Sequence, residues 1–478
     1  MSVPGLQLTE LNVCPSCRNC HCPLPSHSEQ SPPKLTNRCE WRFEVGFSES
    51  VEIKILSGTA EILGTELPLG HKYTFIGTKL SIYTHHGCVL ECRGSPSVEY
   101  TAEETPIPTY TNLHFALSKL RLQASEQNST STSTPPPASG PRMMIIGPLD
   151  AGKTSLIKFL TGYAIRQGGK PCIVNLDPRE GVLSLPGTLT ATTFSTIMDV
   201  EEGFGTSPTS GPSLVPVKLP LVYYYGFESP EANPRLYKKL VSRMALAVMS
   251  RLGEDTDAQS SGLLIDTPLQ FSIPQNYDLI QHSVADFSVT TLVVVGSERL
   301  YSDMLRRYDT PTSSISVVKI PKSGGCVDRD ESFLKLSRAR QVKEYFFGEP
   351  KRTLSPYTMT VEFSLLRIFR LNDSSSMSNT SLLPGGLDGV DLTTRLPLLE
   401  RVNPPTAMLT HCVLALLHCD VDDPVDVMAE ASVMGFVYVV DVEEQKHRMK
   451  ILAPVAGRLP NRPLVVGMWP EATGSLVG

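Results

Sequence analysis

Long apolar runs are missing from this 478-residue sequence. None approaches the roughly 20 residues that a bilayer-spanning helix needs, so no membrane partner is expected. The opening Met-Ser-Val-Pro-Gly lacks a basic segment followed by an apolar core. No secretory signal is therefore expected, and the chain reads as intracellular. Its eleven cysteines then read as reduced thiols, several of them buried. An excess of charge of one sign is also missing. Lys and Arg number 43 against 49 Asp and Glu, a net charge of −6. That balance speaks against a wholly basic nucleic-acid coat and leaves local patches open. No run of five basic residues occurs, so no nuclear-import signal is visible. Tryptophan is limited to Trp41 and Trp469. No internal repeat is present.

What remains is a globular composition, 41% hydrophobic and 19% charged, long enough for about three domains. Residues 1–38 read as a disordered tail. Within it, Cys14, Cys17, Cys20, His21 and Cys22 have metal-ligand spacing and could satisfy a tetrahedral zinc ion. No second paired knuckle follows, and the surroundings are rich in Pro and Ser, so disorder or a misassigned exon boundary is the alternative. Residues 39–123 read as an all-β sandwich or barrel. Short β-rich runs (41–45, 51–56, 59–63, 79–83, 89–92) are separated by turns at Gly58, Gly64, Gly70 and Gly87. A helical pattern covers Tyr110 to Leu122. The Ser/Thr/Pro-rich stretch from Ser125 to Gly140 cannot bury a core, which makes 124–141 a linker.

Residues 142–348 alternate apolar strands with longer helical segments. Strand candidates are Met143–Ile146, Cys172–Leu176, Leu221–Tyr225, Leu263–Ile265, Thr291–Val295 and Ser316–Ile320. Helical candidates are 153–166, 230–252, 275–286 and 297–308. Such alternation implies an α/β domain, a mainly parallel sheet covered by helices. A Gly/Ser/Pro-rich loop, Gly205 to Pro216, interrupts it. Residues 349–478 turn β-rich again around a polar stretch at 372–389, and read as a small mixed α/β domain.

One motif carries chemistry directly. Gly147, Gly152, Lys153 and Thr154 complete G-x-x-x-x-G-K-[ST] between an apolar strand and an amphipathic helix. That order is what a phosphate-binding loop requires. Its amides and the helix N-terminus cradle phosphate. Lys153 reaches the β/γ oxygens, and Thr154 can ligate Mg²⁺. ATP or GTP binding follows, and no Asn-Lys-x-Asp guanine-reading motif follows a strand. An acid at the end of a neighbouring strand is expected to serve the metal or act as base. Asp177 and Asp266 are the candidates. Either could instead cap a helix. Asp177 is favoured, because the strand after a phosphate-loop helix often lies beside the first one. Arg299, Arg306 and Arg307 could form a charge-stabilising lid or a solvated helix face. Lys319 and Lys322 could touch a nucleic-acid backbone.

Taken together the segments resemble one family, the Clp-type polynucleotide 5′-hydroxyl kinases that include the ATP-binding subunit of the pre-mRNA cleavage and polyadenylation factor. The resemblance covers nearly everything after Glu40. It rests on Glu40–Val45, Leu56–Leu67, His86–Cys88, Gly147–Ser155, Asp199–Phe204, Ser297–Tyr301, Ile320–Gly325 and Glu344–Gly348, and looks closest to fungal members. It implies an N-terminal β domain, a central P-loop kinase-like domain and a smaller C-terminal domain, with the nucleotide between the first two. It implies adenine contacts from Glu40 and Lys79. Phosphate contacts would come from Asp150, Ala151, Gly152, Lys153, Thr154 and Ser155, with ATP and Mg²⁺ as cofactors. It further implies a nuclear location, other cleavage and polyadenylation subunits as partners, and docking to the scaffold subunit that reads the polymerase tail. Active members carry Asp-Val-Gly-Gln around the catalytic aspartate, where this chain has Asp177-Pro178-Arg179-Glu180. Active members also carry a Gly-Trp clasp for the RNA end, where this chain has Asp266 to Phe271. Phe271 could substitute in part for that stacking platform. The expectation is a structural ATP site with little or no kinase activity. The alternative is an active RNA kinase with Asp177 as general base.

Overall fold

The computed structural model describes residues 39–130, 138–201, 220–310, 314–349, 352–373 and 397–472, with strand segments at 6–8 and 34–35 and positions 474 and 476. The Cys14–Cys22 cluster, the Gly205–Pro216 loop and most of 372–389 lie outside these residues.

Two antiparallel sheets build the N-terminal unit. One runs 98–102, 39–45, 78–84, 61–62, 65–66. The other centres on 51–58 between 72–75 and 88–93, with 6–8 and 34–35 paired to 88–93. Val51, Ile53 and Ile55 alternate inward while Glu52 and Lys54 stay outside, as a sheet with one wet face requires. Trp41 stacks on Phe43 at 4.7 Å inside this core, and Phe43 meets Phe75 edge-on.

The following helix, Ile107–Thr130, is longer than its pattern suggested. It runs into the first part of the segment read as a linker. Packing explains the difference. Arg121 donates from Nε to the Ser261 carbonyl, and Ala124 is buried. Tertiary contact thus carries the helix through residues of modest propensity.

The central sheet has seven strands among the described residues, in the order 221–224, 188–193, 172–175, 263–266, 142–146, 291–295, 316–320. The last five are parallel, and 188–193 and 221–224 add an antiparallel edge. Strand 188–193, Thr-Leu-Thr-Ala-Thr-Thr, was not legible as a strand because four of its six residues are threonine, yet all six are buried. The order also overturns one expectation. Strand 263–266, not 172–175, lies directly beside the strand that feeds the phosphate loop, so the adjacency that favoured Asp177 belongs to Asp266.

Among the described residues, the C-terminal part is a seven-stranded mixed sheet in which only 368–371 and 464–466 pair in parallel, with one short α-helix, Val425–Ala429. Its apolar face shares a core with the central unit: Tyr345 packs edge-on against Phe436, and its hydroxyl accepts from the Phe436 amide. The N-terminal unit is tied down differently. The buried Glu61 carboxylate accepts from Tyr163 and Arg166 on the helix Lys153–Arg166.

Candidate functional site

The phosphate loop turns where its residues permit. Gly152 has φ +86°, a left-handed conformation that glycine adopts freely. A Cβ there would sit 2.7 Å from Cys326 Sγ, and one on Gly147 would sit 2.6 Å from the Val295 carbonyl oxygen. Asp150 is also left-handed, at φ +50°. Lys153 arches back, its Nζ donating to the carbonyls of Gly147 at 3.1 Å and Pro148 at 2.9 Å. The helix begins at Lys153, so its unpaired amides face the loop's concavity. Shape and chemistry fit a nucleotide's phosphates.

Two acids converge on the loop. Asp266, at its strand end, accepts from the Thr154 hydroxyl. Burial pushes its carboxyl up, opposed by that hydrogen bond and by Lys153. Asp177 follows strand 172–175 and accepts at 2.9 Å from the Arg179 amide. Burial, aided by the nearby Glu180 charge, pushes Asp177 up to about 7, while the Arg179 amide and Lys153 pull the other way. Asp177 thus titrates near neutrality, as a general base is tuned to do.

The loop forms one wall of a two-part cleft. The outer part is lined by Glu40, Arg42, Lys79, Tyr110, Ser155 and Lys158. The inner part is lined by Asp150–Ser155 with Asp177, Glu180 and Arg329. Lys79, Thr154, Ser155, Glu180 and Arg329 line both, so the two parts are continuous. Glu40 and Lys79 thus stand at the same cleft as the phosphate loop although both lie far before Gly147 in the sequence. Glu40 is buried and accepts from Arg42 at 3.1 Å. Lys79 pairs with Glu44 at 2.9 Å and lies over the Phe333 ring. Gly147 lines neither part and meets the site only through its carbonyl, which accepts from Lys153.

Sequence reasoning missed Arg329. Its guanidinium bonds Asp150 from Nε at 2.8 Å and Glu180 from Nη1 at 2.8 Å. These acids hold it positively charged against the cost of burial. The only local signal was its place just after the Ile320–Gly325 segment. Arg179 is equally occupied, pairing with Glu228 and with Glu331 at 3.0 Å each.

Other candidates are not brought to the cleft. Phe271 is fully buried, so the stacking role suggested for it is lost to the core. Trp41 sits in the β core. Trp469 lies under the Arg338 guanidinium at 4.4 Å. Arg299, Arg306 and Arg307 line neither part. Arg306 pairs with Asp303, and Arg307 lies over Tyr277. Lys319 and Lys322 pair with Glu298 and Asp328. Among the described residues no cluster of three or more His, Cys, Asp or Glu could hold a metal ion, and no helix is long and apolar enough to cross a membrane.

Comparison with known proteins gives this cleft its context. Residues 147–348 match the family described as mRNA cleavage and polyadenylation factor CLP1 P-loop. Residues 34–124 match the N-terminal β-sandwich domain of polyadenylation factor, and 354–471 match pre-mRNA cleavage complex II protein Clp1. The mRNA cleavage and polyadenylation factor clp1 of Botryotinia fuckeliana is 52% identical over 93% of this chain and 94% of its own length. The chain belongs to the Clp1 family of mRNA cleavage and polyadenylation factors. The protein of that name from Aspergillus niger is 45% identical over 97% of this chain and 98% of its own. Among solved structures, a wild-type Clp1p–Pcf11p complex superposes with a TM-score of 0.79 at 25% identity, covering 91% of this chain and 96% of that one. A second, titled for an extended Pcf11p–Clp1p interface and for ATP loss in a point mutant, gives 0.80 at 25% identity, covering 91% and 97%.

Proposed function

We propose that this chain is an ATP-holding subunit of a pre-mRNA 3′-end cleavage and polyadenylation complex, needed for the endonucleolytic cut before poly(A) addition. ATP is a structural ligand here, and phosphoryl transfer is slight or absent. The carrying observation is the fate of the two altered positions beside Asp177. Arg179 and Glu180, where active relatives carry glycine and glutamine, are committed to ion pairs with Glu228, Glu331 and Arg329. The clasp tryptophan is absent from the Asp266–Phe271 segment, and Phe271 is buried.

Glu40 and Lys79 would hold the adenine, and Asp150 to Ser155 the phosphates, with Mg²⁺ at the Thr154 hydroxyl. The ligand then bridges the β domain and the central domain and stabilises the folded state by mass action. The solved relatives were determined with Pcf11p, which supports a scaffold subunit of that kind as this chain's partner. The relatives' role in mRNA processing supports a nuclear location.

One observation favours a second reading, an active RNA 5′-hydroxyl kinase. Asp177 lines the inner cleft with Lys153 and has its carboxyl tuned near neutrality. A base there would take the proton of a 5′-hydroxyl placed about 3 Å away. Phosphate transfer from ATP to 5′-hydroxyl RNA decides between the two. The expected result is ATP released on denaturing the purified protein, with no transfer above that of Lys153→Ala. Transfer by the native chain that Lys153→Ala abolishes would establish the kinase instead.

A further inference from the structure

The inner cleft carries a charge balance that hinges on one side chain. Its lining includes three cations, Lys79, Lys153 and Arg329, and three acids, Asp150, Asp177 and Glu180. Arg329 alone contacts two of those acids, bridging the phosphate loop to the Asp177–Glu180 loop. Glu180 is felt throughout the site: its charge raises both the Asp177 and the Asp266 carboxyls. A triphosphate entering the loop would meet that same charge. A neutral side chain at this position would pose no such conflict.

We propose that Arg329 is the counter-charge that makes the Glu180-bearing loop compatible with a triphosphate. It acts on nucleotide affinity by neutralising Glu180 and Asp150 rather than as a direct ligand of phosphate. Arg329 is therefore a positioning residue, and the pair Arg329–Glu180 is a unit. A cation at 329 is required because acids occupy 150 and 180, and the requirement eases when 180 is neutral. The inference rests on the nucleotide-binding reading and specifies how this chain's own substitutions are accommodated within it.

The physical warrant is the cost of leaving a partly buried carboxylate unpaired beside further negative charge. Breaking such a pair from one side is far more harmful than removing both partners. The side chains of Asp150 and Glu180 are 5% and 32% exposed, so water screens Glu180 only in part and Asp150 hardly at all.

The test is MgATP affinity by calorimetry on the full chain freed of co-purified nucleotide. The native protein would be compared with Arg329→Ala, Glu180→Gln and the double variant, with adenosine as a ligand lacking phosphates. Arg329→Ala is expected to weaken MgATP at least about tenfold, equivalent to 1.4 kcal/mol, and to leave adenosine unchanged. Glu180→Gln is expected to bind MgATP as tightly as the native chain or a few-fold tighter. The double variant is expected to recover part of the affinity that Arg329→Ala loses, the remainder reflecting Asp150, whose guanidinium partner stays absent. A double variant as weak as Arg329→Ala would show that the loss does not arise from Glu180 and would overturn the proposal. An equal loss of adenosine affinity would overturn it too, by placing the defect in the cleft as a whole. Arg329→Lys, which keeps the charge, should stay within a few-fold of native, and thermal unfolding of each variant separates lost binding from lost fold. Failure of the native chain itself to bind MgATP would sink the nucleotide reading, a different outcome from lack of coupling between the two positions.

Discussion

Asp177 is a residue whose state the fold alters strongly. An ordinary aspartate titrates near 3.8, and this one is pushed up to about 7, first by burial. A folded-state value above the unfolded one means that the folded protein holds the proton more tightly. Stability contributed by the protonated form is complete below the unfolded value and is lost as pH rises from about 4 to about 7. Asp177→Asn should remove that loss. The variant should gain about 1–2 kcal/mol at pH 8 without nucleotide, a figure discounted for partial solvent exposure. The gain should grow between pH 4 and pH 7 and level off above. Denaturant melts across that range would test it, and a pH-independent difference would show that the cause is not this carboxyl. The phosphate loop itself was legible because its chemistry is written in consecutive residues. Arg329 was not, since its partner Asp150 lies 179 residues away and only sheet order brings them together. Nor did alternation and spacing distinguish Glu40 and Lys79 from ordinary strand-edge charges. Only the family resemblance pointed to them, and folding places them at the cleft.

At the scale of elements, the helix Ile107–Thr130 shows why sequence boundaries were short. Its polar end, Ser125 to Thr130, looks like the start of a linker, and contact through Arg121 and Ala124 extends it. The same helix carries a buried histidine. His114 lies 5.3 Å from the Tyr163 ring and near the Arg121 charge. Burial first, and then Arg121, lower it to about 4. A histidine held neutral contributes stability that is complete above about pH 6.5 and drains away as pH falls towards 4. His114→Gln should therefore flatten acid unfolding between pH 6.5 and pH 4 by about 2 kcal/mol relative to native. If the two proteins lost stability in parallel over that window, His114 would not be the titrating group. Strand 188–193 teaches the converse. Six buried residues form a strand that polar composition concealed, because threonine's branched Cβ suits a pleated surface while its hydroxyl finds a carbonyl. Thr188 and Thr190 donate to the Leu185 and Val182 carbonyls at 2.7 Å.

Across the whole molecule, the C-terminal part reaches the Asp177–Glu180 loop through Trp469 and Glu471. Trp469 donates from its indole N–H to the Arg179 carbonyl at 3.2 Å, and its own carbonyl accepts from Tyr224. Arg338, stacked on its ring, pairs with Glu471 and with Glu331, which in turn holds Arg179. Trp469→Phe keeps the apolar filling and deletes the indole donor. It should cost about 1 kcal/mol of stability and speed release of a fluorescent ATP analogue, because the Asp177–Glu180 loop loses an anchor. Unchanged release with the stability loss intact would confine Trp469 to a packing role. Three-unit architecture and the parallel central sheet were readable from alternation of strand and helix patterns. This tether was not, because it joins residues almost 300 positions apart.

That tether sets a schedule. Residues leave the ribosome in sequence order, so Gly147 to Ser155 and the Asp177 loop emerge long before Trp469. Strand 464–466 must slot between 413–417 and 368–371 before Trp469 can reach Arg179. For most of its synthesis the chain carries a phosphate loop whose neighbouring Asp177–Glu180 loop has yet to receive its last anchor. The contact of Trp469 with Arg179 is thus among the last that the cleft's surroundings can acquire during synthesis.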